Sequence, residues 1–575
     1  MGMKVVIIGA VAAGPKTACR LKRLMPDAQI TMIDQDDIIS YGGCGIPYYV
    51  SGDVPDDSEL YSTNFHMIRD VNFFKNAKGV ELKTKRKAIG IDRKKKVVIA
   101  KNLETGKEEE FPYDKLVLAT GSRPNVIPVK GVDLDGVFTI SNLHKAIEIR
   151  KRLTQGKVEK AVVIGGGAIG IEMADAIGDL WGVETKIVEF MPQLLPKVVN
   201  NTISLMIQKK LEDHNIKVYT SETVKSIEGD ENGHVKKVIT DKHEFDADLV
   251  LLATGVRPRG ELAKDAGLAV SSYGAIVVNQ RMQTSDPDIY AAGDCVEVIN
   301  LITGKKAYAP MGSLANRQGR VVANNIAGIP SVFDGVVGTF ITQVFDISVG
   351  ATGLSVELAQ QEGFDAESVM IVTLNKVHFM PEHAPLYVNI IVDKRTRRFL
   401  GFQGVGPMGD SFLARLNAAA TALKFKVTID ELSTVELAYA PPFATPVDCL
   451  NVAANVAENL LNGMLKLITP QEFSEWIENP SLHEDWIALD VREEQSAKPF
   501  MEAFGPRWIC LRYDKIRSEY HKLPKDKTLI LVCSSGTRSY EVQLFLDTLG
   551  YKSLVLDGGM AVFNMIPCPW YPKKS

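Results

Sequence analysis

The sequence predicts an α/β protein of several domains. Two stretches, one at the amino end and one beginning near Ala161, each run in the order strand, glycine turn, helix, strand, acid. A third region, after Leu467, again alternates strands and helices, now around a cysteine loop. Between them, residues 335 to 450 alternate short apolar runs with one long helix from Gly409 to Lys424, which reads as an α+β domain: an antiparallel sheet with helices on one side. At 575 residues the chain is too long for one core, and three or four domains are expected.

In the first stretch, Lys4 to Ile8 reads as a buried parallel strand and Gly9 to Gly14 as the turn. Thr17 to Leu24 starts the crossover helix, and Gln29 to Ile33 gives a second strand ending at Asp34. Such an order suits a dinucleotide, because amides at the helix start receive a pyrophosphate and the acid takes a ribose hydroxyl. Val11 stands where the middle glycine of G-x-G-x-x-G is usual, so the fingerprint leans on a partner far downstream. There Ile289 to Ala292 is a short apolar strand delivering Gly293 and Asp294, suited to hold the ribityl and phosphate end of a flavin.

The second stretch is intact. Gly165, Gly167 and Gly170 complete G-x-G-x-x-G between the strand Ala161 to Ile164 and the helix Ile171 to Leu180, and Lys186 to Val188 ends at Glu189. A carboxylate there accepts from a free 2′-hydroxyl and repels a 2′-phosphate, which favours NADH over NADPH. Two such units imply two cofactors, a flavin and a nicotinamide. Both are followed by matching tails, Leu116 to Pro124 with Thr120 and Gly121, and Val250 to Pro258 with Gly255. Each is a buried strand that breaks at glycine where the chain crosses between domains.

The stretch Ser40 to Tyr49 sets Cys44 between glycines just downstream of the first unit. Glycines let the backbone and a planar cofactor come close, and Pro47 suits the first turn of a helix. The positive end of that helix is expected to stabilise a thiolate, the form that attacks disulfide or sulfane sulfur. Cys44 is therefore the candidate redox centre.

With these parts in order, the chain resembles the two-dinucleotide flavoprotein disulfide reductases, from the first strand to about Leu450. Dithiol members of that superfamily carry Cys-x-x-x-x-Cys beside the flavin, whereas this chain has Cys44 and no second cysteine until Cys295. A lone cysteine must react with an external partner, which points to the single-cysteine branch: coenzyme A disulfide reductases, NADH-dependent persulfide reductases, NADH peroxidases and NADH oxidases. The resemblance implies two interleaved Rossmann-like domains. FAD is expected at Gly9, Gly14, Asp34, Thr120, Gly121, Gly293, Asp294 and Ala315, and NADH at Gly165, Gly167, Gly170, Glu189 and Gly255.

Peroxidases and oxidases carry a histidine in the first glycine turn, where this chain has small residues such as Ala12. Coenzyme A disulfide reductases have a small-residue turn like Gly9 to Gly14 and then a basic helix that contacts the coenzyme A nucleotide. Arg20 and Arg23 match those positions, and Ser40 joins them as a substrate-binding candidate. Pro310 to Gly319, which contains Ala315, is similar to the family helix whose amino end points at the flavin ring. By resemblance, residues 335 to 450 form the dimerisation domain, and Tyr439 looks like the tyrosine that reaches the facing cysteine pocket of a homodimer. Two departures stand out: Phe379-Met380-Pro381-Glu382 replaces the usual Tyr-Tyr-Pro-Gly, and Gly42-Gly43 stand where an asparagine often precedes the cysteine.

Beyond Leu467, Trp486 to Leu489 and Leu529 to Val532 read as strands, the second ending at Cys533-Ser534-Ser535-Gly536-Thr537-Arg538-Ser539. A short loop curls its amides around the cysteine sulfur, stabilising a thiolate and later a persulfide, and Arg538 adds positive charge. With Asp490-Val491-Arg492 and the turn Asp557-Gly558-Gly559, this region resembles a rhodanese domain. Cys510 reads as structural, with a relay role for sulfur as the alternative.

The expected domains are 1–112 with 245–330 for FAD, 113–244 for NAD, 331–450 for dimerisation, a helical linker 451–465, and a rhodanese-like α/β domain 466–575. The fusion implies an NADH-dependent reductase of coenzyme A disulfide, or of coenzyme A persulfide and polysulfide sulfur, acting through Cys44, while Cys533 transfers sulfane sulfur among small thiols. Its rivals are a peroxidase or oxidase using a Cys44 sulfenate, and a redox-sensing sulfur carrier. Composition fits a soluble, cytoplasmic protein: 45% apolar, 24% charged and net charge −4, with nothing to suggest a nucleic-acid or membrane partner. The seven cysteines are scattered, without metal-ligand or disulfide-framework spacing.

Overall fold

The computed structural model describes residues 2–572. These form two compact units: the chain up to Phe190 with Asn215–Val336, and Met191–His214 with the chain from Val337 onward.

The first unit contains two parallel sheets. Its opening elements are β1 (Lys4–Ile8), α1 (Ala13–Leu24), β2 (Gln29–Ile33), α2 (Ile46–Ser51), β3 (Glu81–Lys83) and β4 (Lys115–Leu118). Then come β5 (Val137–Thr139), β6 (Lys160–Ile164), α3 (Ala168–Gly178), β7 (Glu184–Val188), β8 (Lys217–Tyr219) and β9 (Leu249–Leu252). The unit closes with β10 (Ile289–Ala291) and α4 (Gly312–Ile326). The first sheet has the order β10-β4-β1-β2-β3 and the second β8-β7-β6-β9-β5. Strands β1 and β6 sit at the centre and are almost wholly buried, which is why both are unbroken apolar runs.

One expectation is corrected here. Strand β4 pairs with β1, and β9 pairs with β6. The apolar runs Leu116–Leu118 and Val250–Leu252 complete the sheet that precedes each crossover, so the boundaries drawn at 112/113 and 244/245 fall too early. The chain leaves each sheet at the glycines that follow, Gly121 and Gly255, both at positive φ.

In the second unit, β11 (Phe340–Val344), β12 (Ile347–Gly353), β13 (Ala366–Leu374), β14 (Pro385–Asp393) and β15 (Phe399–Pro407) form an antiparallel sheet in the order β11-β12-β15-β14-β13. Helix α5 (Asp410–Lys424) packs on β12 and β15, and α6 (Cys449–Leu461) on β13 and β14. The apolar runs of this region, Gly338 to Val344, Ser368 to Leu374, Leu386 to Val392 and Phe399 to Gln403, anticipate four of these strands and miss β12. The last region contributes β16 (Leu467–Ile468), β17 (Trp486–Asp490), β18 (Trp508–Cys510), β19 (Thr528–Val532), α7 (Thr537–Thr548) and β20 (Lys552–Leu556). Its parallel sheet has the order β16-β20-β19-β17-β18. No helix among the described residues is long and apolar enough to cross a membrane.

Candidate active site

The two glycine turns share one geometry. A Cβ on Gly14 would lie 1.9 Å from the Gly9 carbonyl oxygen, and one on Gly170 would lie 2.0 Å from that of Gly165, so only glycine lets each helix start this close to its strand. The strand-end acids brace the turns. Asp34 Oδ2 accepts from the Ala10 amide at 2.7 Å, and Glu189 Oε2 from the Gly166 amide at 2.6 Å. Gly167 caps α3 with open space beside its Cα, where a pyrophosphate can approach.

A flavin dinucleotide fits what surrounds the first turn. The Gly293 amide donates to Gln318 Oε1 on α4 at 2.7 Å, and Ser122 Oγ donates to Asp294 Oδ2 at 3.2 Å. Ala315 is buried beside Gly293, while Thr120 Oγ1 donates to the Arg259 carbonyl at 2.6 Å and fixes the crossover next to Gly121. Burial pushes the carboxyls of both Asp34 and Asp294 above the usual range. Each suits an acid that accepts hydroxyl hydrogen bonds in a closed slot. Gly9, Gly14, Asp34, Asp294 and α4 would hold FAD, and the turn Gly165 to Gly170 with Glu189 would hold NADH.

Cys44 lies in a short 3-10 turn, Gly43–Gly45, immediately before α2 with Pro47 in its first turn. Its sulfur is 3.9 Å from the position of a Cβ on Gly312, the first residue of α4, so the cysteine sits at the amino end of the helix expected to face the flavin. Cys44 is a free thiol. The expected thiolate is not what the protein alone favours. Cys44 is an exposed residue, yet partial desolvation pushes its thiol above its ordinary value, and the carboxylates of Glu172 and Asp294 add to that. Helix α2 is only six residues long, too short to outweigh them.

A groove of about 420 Å³ opens beside Tyr41 and Gly42. Ser40, Ala12, Lys16, Cys19, Arg23, Arg69 and Lys78 line it with Asn316. Arg20 does not, because its Nε donates to Asn324 Oδ1 on α4 at 3.1 Å. Residues 16, 19 and 23 share one helical stripe, and Arg20, one turn after Lys16, sits at the edge of that stripe and is held toward α4 by Asn324. Sequence reasoning missed Lys16, although it stands seven residues before Arg23. Arg69 comes from a separate loop and Lys78 from the end of the π-helical turn Phe73–Ala77 that follows it, and neither had a local signal.

In the second unit, Tyr439 is 46% exposed and Phe379 66% exposed, each on a loop. Arg415 on α5 ties both loops: its guanidinium donates to Asp448 Oδ2 at 2.7 and 2.9 Å, to the Phe443 carbonyl at 3.4 Å and to the Asn375 carbonyl at 3.5 Å.

Cys533 follows β19 and is buried, and its sulfur accepts from the Gly536 amide at 3.1 Å. Arg538 Nη2 donates to Ser534 Oγ at 2.9 Å, closing the loop over the cysteine. Cys510, at the end of β18, has its thiol pushed up to about 11 by burial first and by Asp490 next, which suits a structural thiol.

Comparisons with known proteins agree with this arrangement. Residues 3–309 match the pyridine nucleotide-disulphide oxidoreductase family, residues 339–448 its dimerisation domain, and residues 469–565 the rhodanese-like domain. The NAD(P)H coenzyme A polysulfide/persulfide reductase of Pyrococcus horikoshii is 38% identical over 458 residues, covering 79% of this chain and 98% of that protein. A NAD-dependent persulfide reductase structure from A. fulgidus superposes with a TM-score of 0.92 at 36% identity, covering 98% of this chain and 100% of that one. The reduced CoADR-RHD structure of Bacillus anthracis gives 0.89 at 30% identity, covering 98% of both.

Proposed function

The chain belongs to the pyridine nucleotide-disulphide oxidoreductase family, and from that premise we propose that it is an NADH-dependent flavoprotein that reduces coenzyme A persulfide, polysulfide sulfur or coenzyme A disulfide through Cys44. One observation carries the reading. A single unbonded cysteine stands at the start of α4 beside a groove whose basic side chains suit a phosphate-bearing thiol.

Lys16, Arg23, Arg69 and Lys78 attract the nucleotide end of coenzyme A, and the small residues Ala12 and Gly42 leave room for its arm. The Cys44 thiol loses its proton and attacks the sulfur–sulfur bond, so one thiolate leaves and a mixed disulfide or persulfide forms on Cys44. Bound FAD would supply the two electrons, drawn from NADH, that return Cys44 to the thiolate as the second thiol or hydrosulfide is expelled. Tyr439 from the second copy of a homodimer would return a proton to the leaving thiolate. Cys533 carries sulfane sulfur as a persulfide whose outer sulfur lies in the amide loop, and passes it to coenzyme A. A reducing compartment such as the cytosol keeps the seven thiols free.

The test is steady-state NADH oxidation with coenzyme A persulfide, coenzyme A disulfide, hydrogen peroxide and oxygen offered separately. The reading expects the sulfur substrates to be turned over at least tenfold faster than either oxidant. Faster turnover of peroxide or oxygen overturns it.

A further inference from the structure

The turn Asp557-Gly558-Gly559, just after β20, holds two structures at once. On one side, both carboxylate oxygens of Asp557 accept from the Met370 amide at 3.1 Å. Met370 lies in the middle of β13, the outermost strand of the antiparallel sheet, where an outward amide has no strand partner and needs an acceptor. Gly558 has a φ of +68°, and a Cβ on it would come within 3.3 Å of Met370 Cγ. The turn thus presents bare backbone where it rests on β13.

On its other side the same turn shapes the sulfur loop. The Met560 amide donates to the Cys533 carbonyl at 2.9 Å, and the Ala561 amide to the Ser534 carbonyl at 2.9 Å. A Cβ on Gly559 would meet the Cys533 carbonyl oxygen at 2.7 Å. Residues 557 to 561 therefore form one short bridge from an edge strand of the dimerisation sheet to the backbone of the persulfide-forming cysteine. The Asp557 carboxylate is thus shared between the Met370 amide of the neighbouring domain and the Gly558 amide of its own turn.

We propose that Asp557 is a positioning residue for sulfur transfer: by gripping the Met370 amide it fixes the Cys533 loop on the dimerisation sheet, so that the handover to coenzyme A is fast. The proposal rests on the function given above. In the handover, the coenzyme A thiolate attacks the outer sulfur of the Cys533 persulfide, the sulfur–sulfur bond breaks, and Cys533 leaves as thiolate while coenzyme A persulfide forms. Reduction of that product consumes one NADH and one proton and yields coenzyme A thiol, hydrogen sulfide and NAD+. A reaction that joins two separately held partners loses rate steeply when one is misplaced.

The bond can be cut from either domain. Asp557→Ala removes the acceptor. Met370→Pro removes the donor without touching the rhodanese-like domain, and because that amide already points away from β14, the strand pairing survives. Folding is checked by FAD content. Coupled turnover is measured as NADH oxidation with thiosulfate and coenzyme A, beside two separate reactions: thiosulfate to cyanide transfer, and NADH-driven reduction of preformed coenzyme A persulfide. Each variant is expected to lower coupled turnover about tenfold, the double variant no further, and the separate reactions to stay within about twofold. Unchanged coupled turnover in Met370→Pro, or an equal loss in a separate reaction, overturns the proposal. If the unaltered protein shows no coupled turnover while preformed coenzyme A persulfide is still reduced, the handover from Cys533 to coenzyme A proposed above fails. The clamp is then judged by the alkylation rate of Cys533, which both variants raise if it exists and leave unchanged if it does not.

Discussion

The Cys44 sulfur lies 3.9 Å from the point where a side chain on Gly312 would begin. Two distant stretches of chain thus meet at one point, the candidate redox cysteine from the loop before α2 and the first residue of α4. The spacing is ordinary van der Waals contact, so Gly312→Ala should leave NADH-dependent coenzyme A disulfide reduction within about twofold. Gly312→Val places branched carbons against the sulfur and should lower kcat about tenfold with FAD still bound. Equal activity in both variants would show that the approach to Cys44 does not pass this point.

Glu172 is one of the two carboxylates that hold the Cys44 thiol up. Removing a negative charge favours the thiolate, so Glu172→Gln should shift the pH dependence of Cys44 alkylation toward lower pH. Burial is the larger cause and remains, so the shift should be only part of the way to a free thiol. Site-resolved alkylation across pH, read by mass spectrometry, checks the direction.

The groove separates three basic residues of α1. Lys16 and Arg23 line it, whereas Arg20 is bonded to Asn324. Lys16→Ala and Arg23→Ala should each raise the KM for coenzyme A disulfide by roughly threefold to tenfold with little change in kcat. Arg20→Ala should leave KM within about twofold. A rise for Arg20→Ala alone would put the nucleotide against α4 rather than in the groove.

What the sequence discloses follows from how local each feature is. Strands β1 and β6 are legible because a parallel strand buried on both faces must be an unbroken apolar run. Strand β12 is not, since Gly350 and Gly353 interrupt its pattern; a Cβ on Gly350 would meet Leu416 at 2.7 Å, so the glycine makes room for α5. The position of Cys44 is written in its flanking glycines, but its acidity depends on Glu172 and Asp294, which only the fold brings near. Arg69 and Lys78 reach the groove for the same nonlocal reason. The Asp-Gly-Gly turn reads as a turn, and nothing near Met370 announces its partner.

Burial pushes the Asp557 carboxyl up to about 7, against an ordinary 3.8. A folded-state value above the unfolded one means that the folded protein binds the extra proton between those limits. This group therefore favours folding at low pH, and its contribution is lost as pH rises from about 4 through 7, by about 1 kcal/mol per pH unit. Asp557→Asn keeps an acceptor for Met370 and cannot titrate. Denaturant unfolding of the second unit should accordingly show the variant gaining on the unaltered protein as pH rises from 5 to 8, and a constant difference would contradict the buried carboxyl.

The most direct measurement is a single-turnover reaction of Cys44→Ser, containing FAD, with NADH and coenzyme A persulfide. The account predicts that FAD is still reduced by NADH but no hydrogen sulfide is released, while thiosulfate to cyanide transfer by Cys533 continues at the unaltered rate. Hydrogen sulfide released at the rate of the unaltered protein would contradict the assignment of Cys44 and the mechanism built on it.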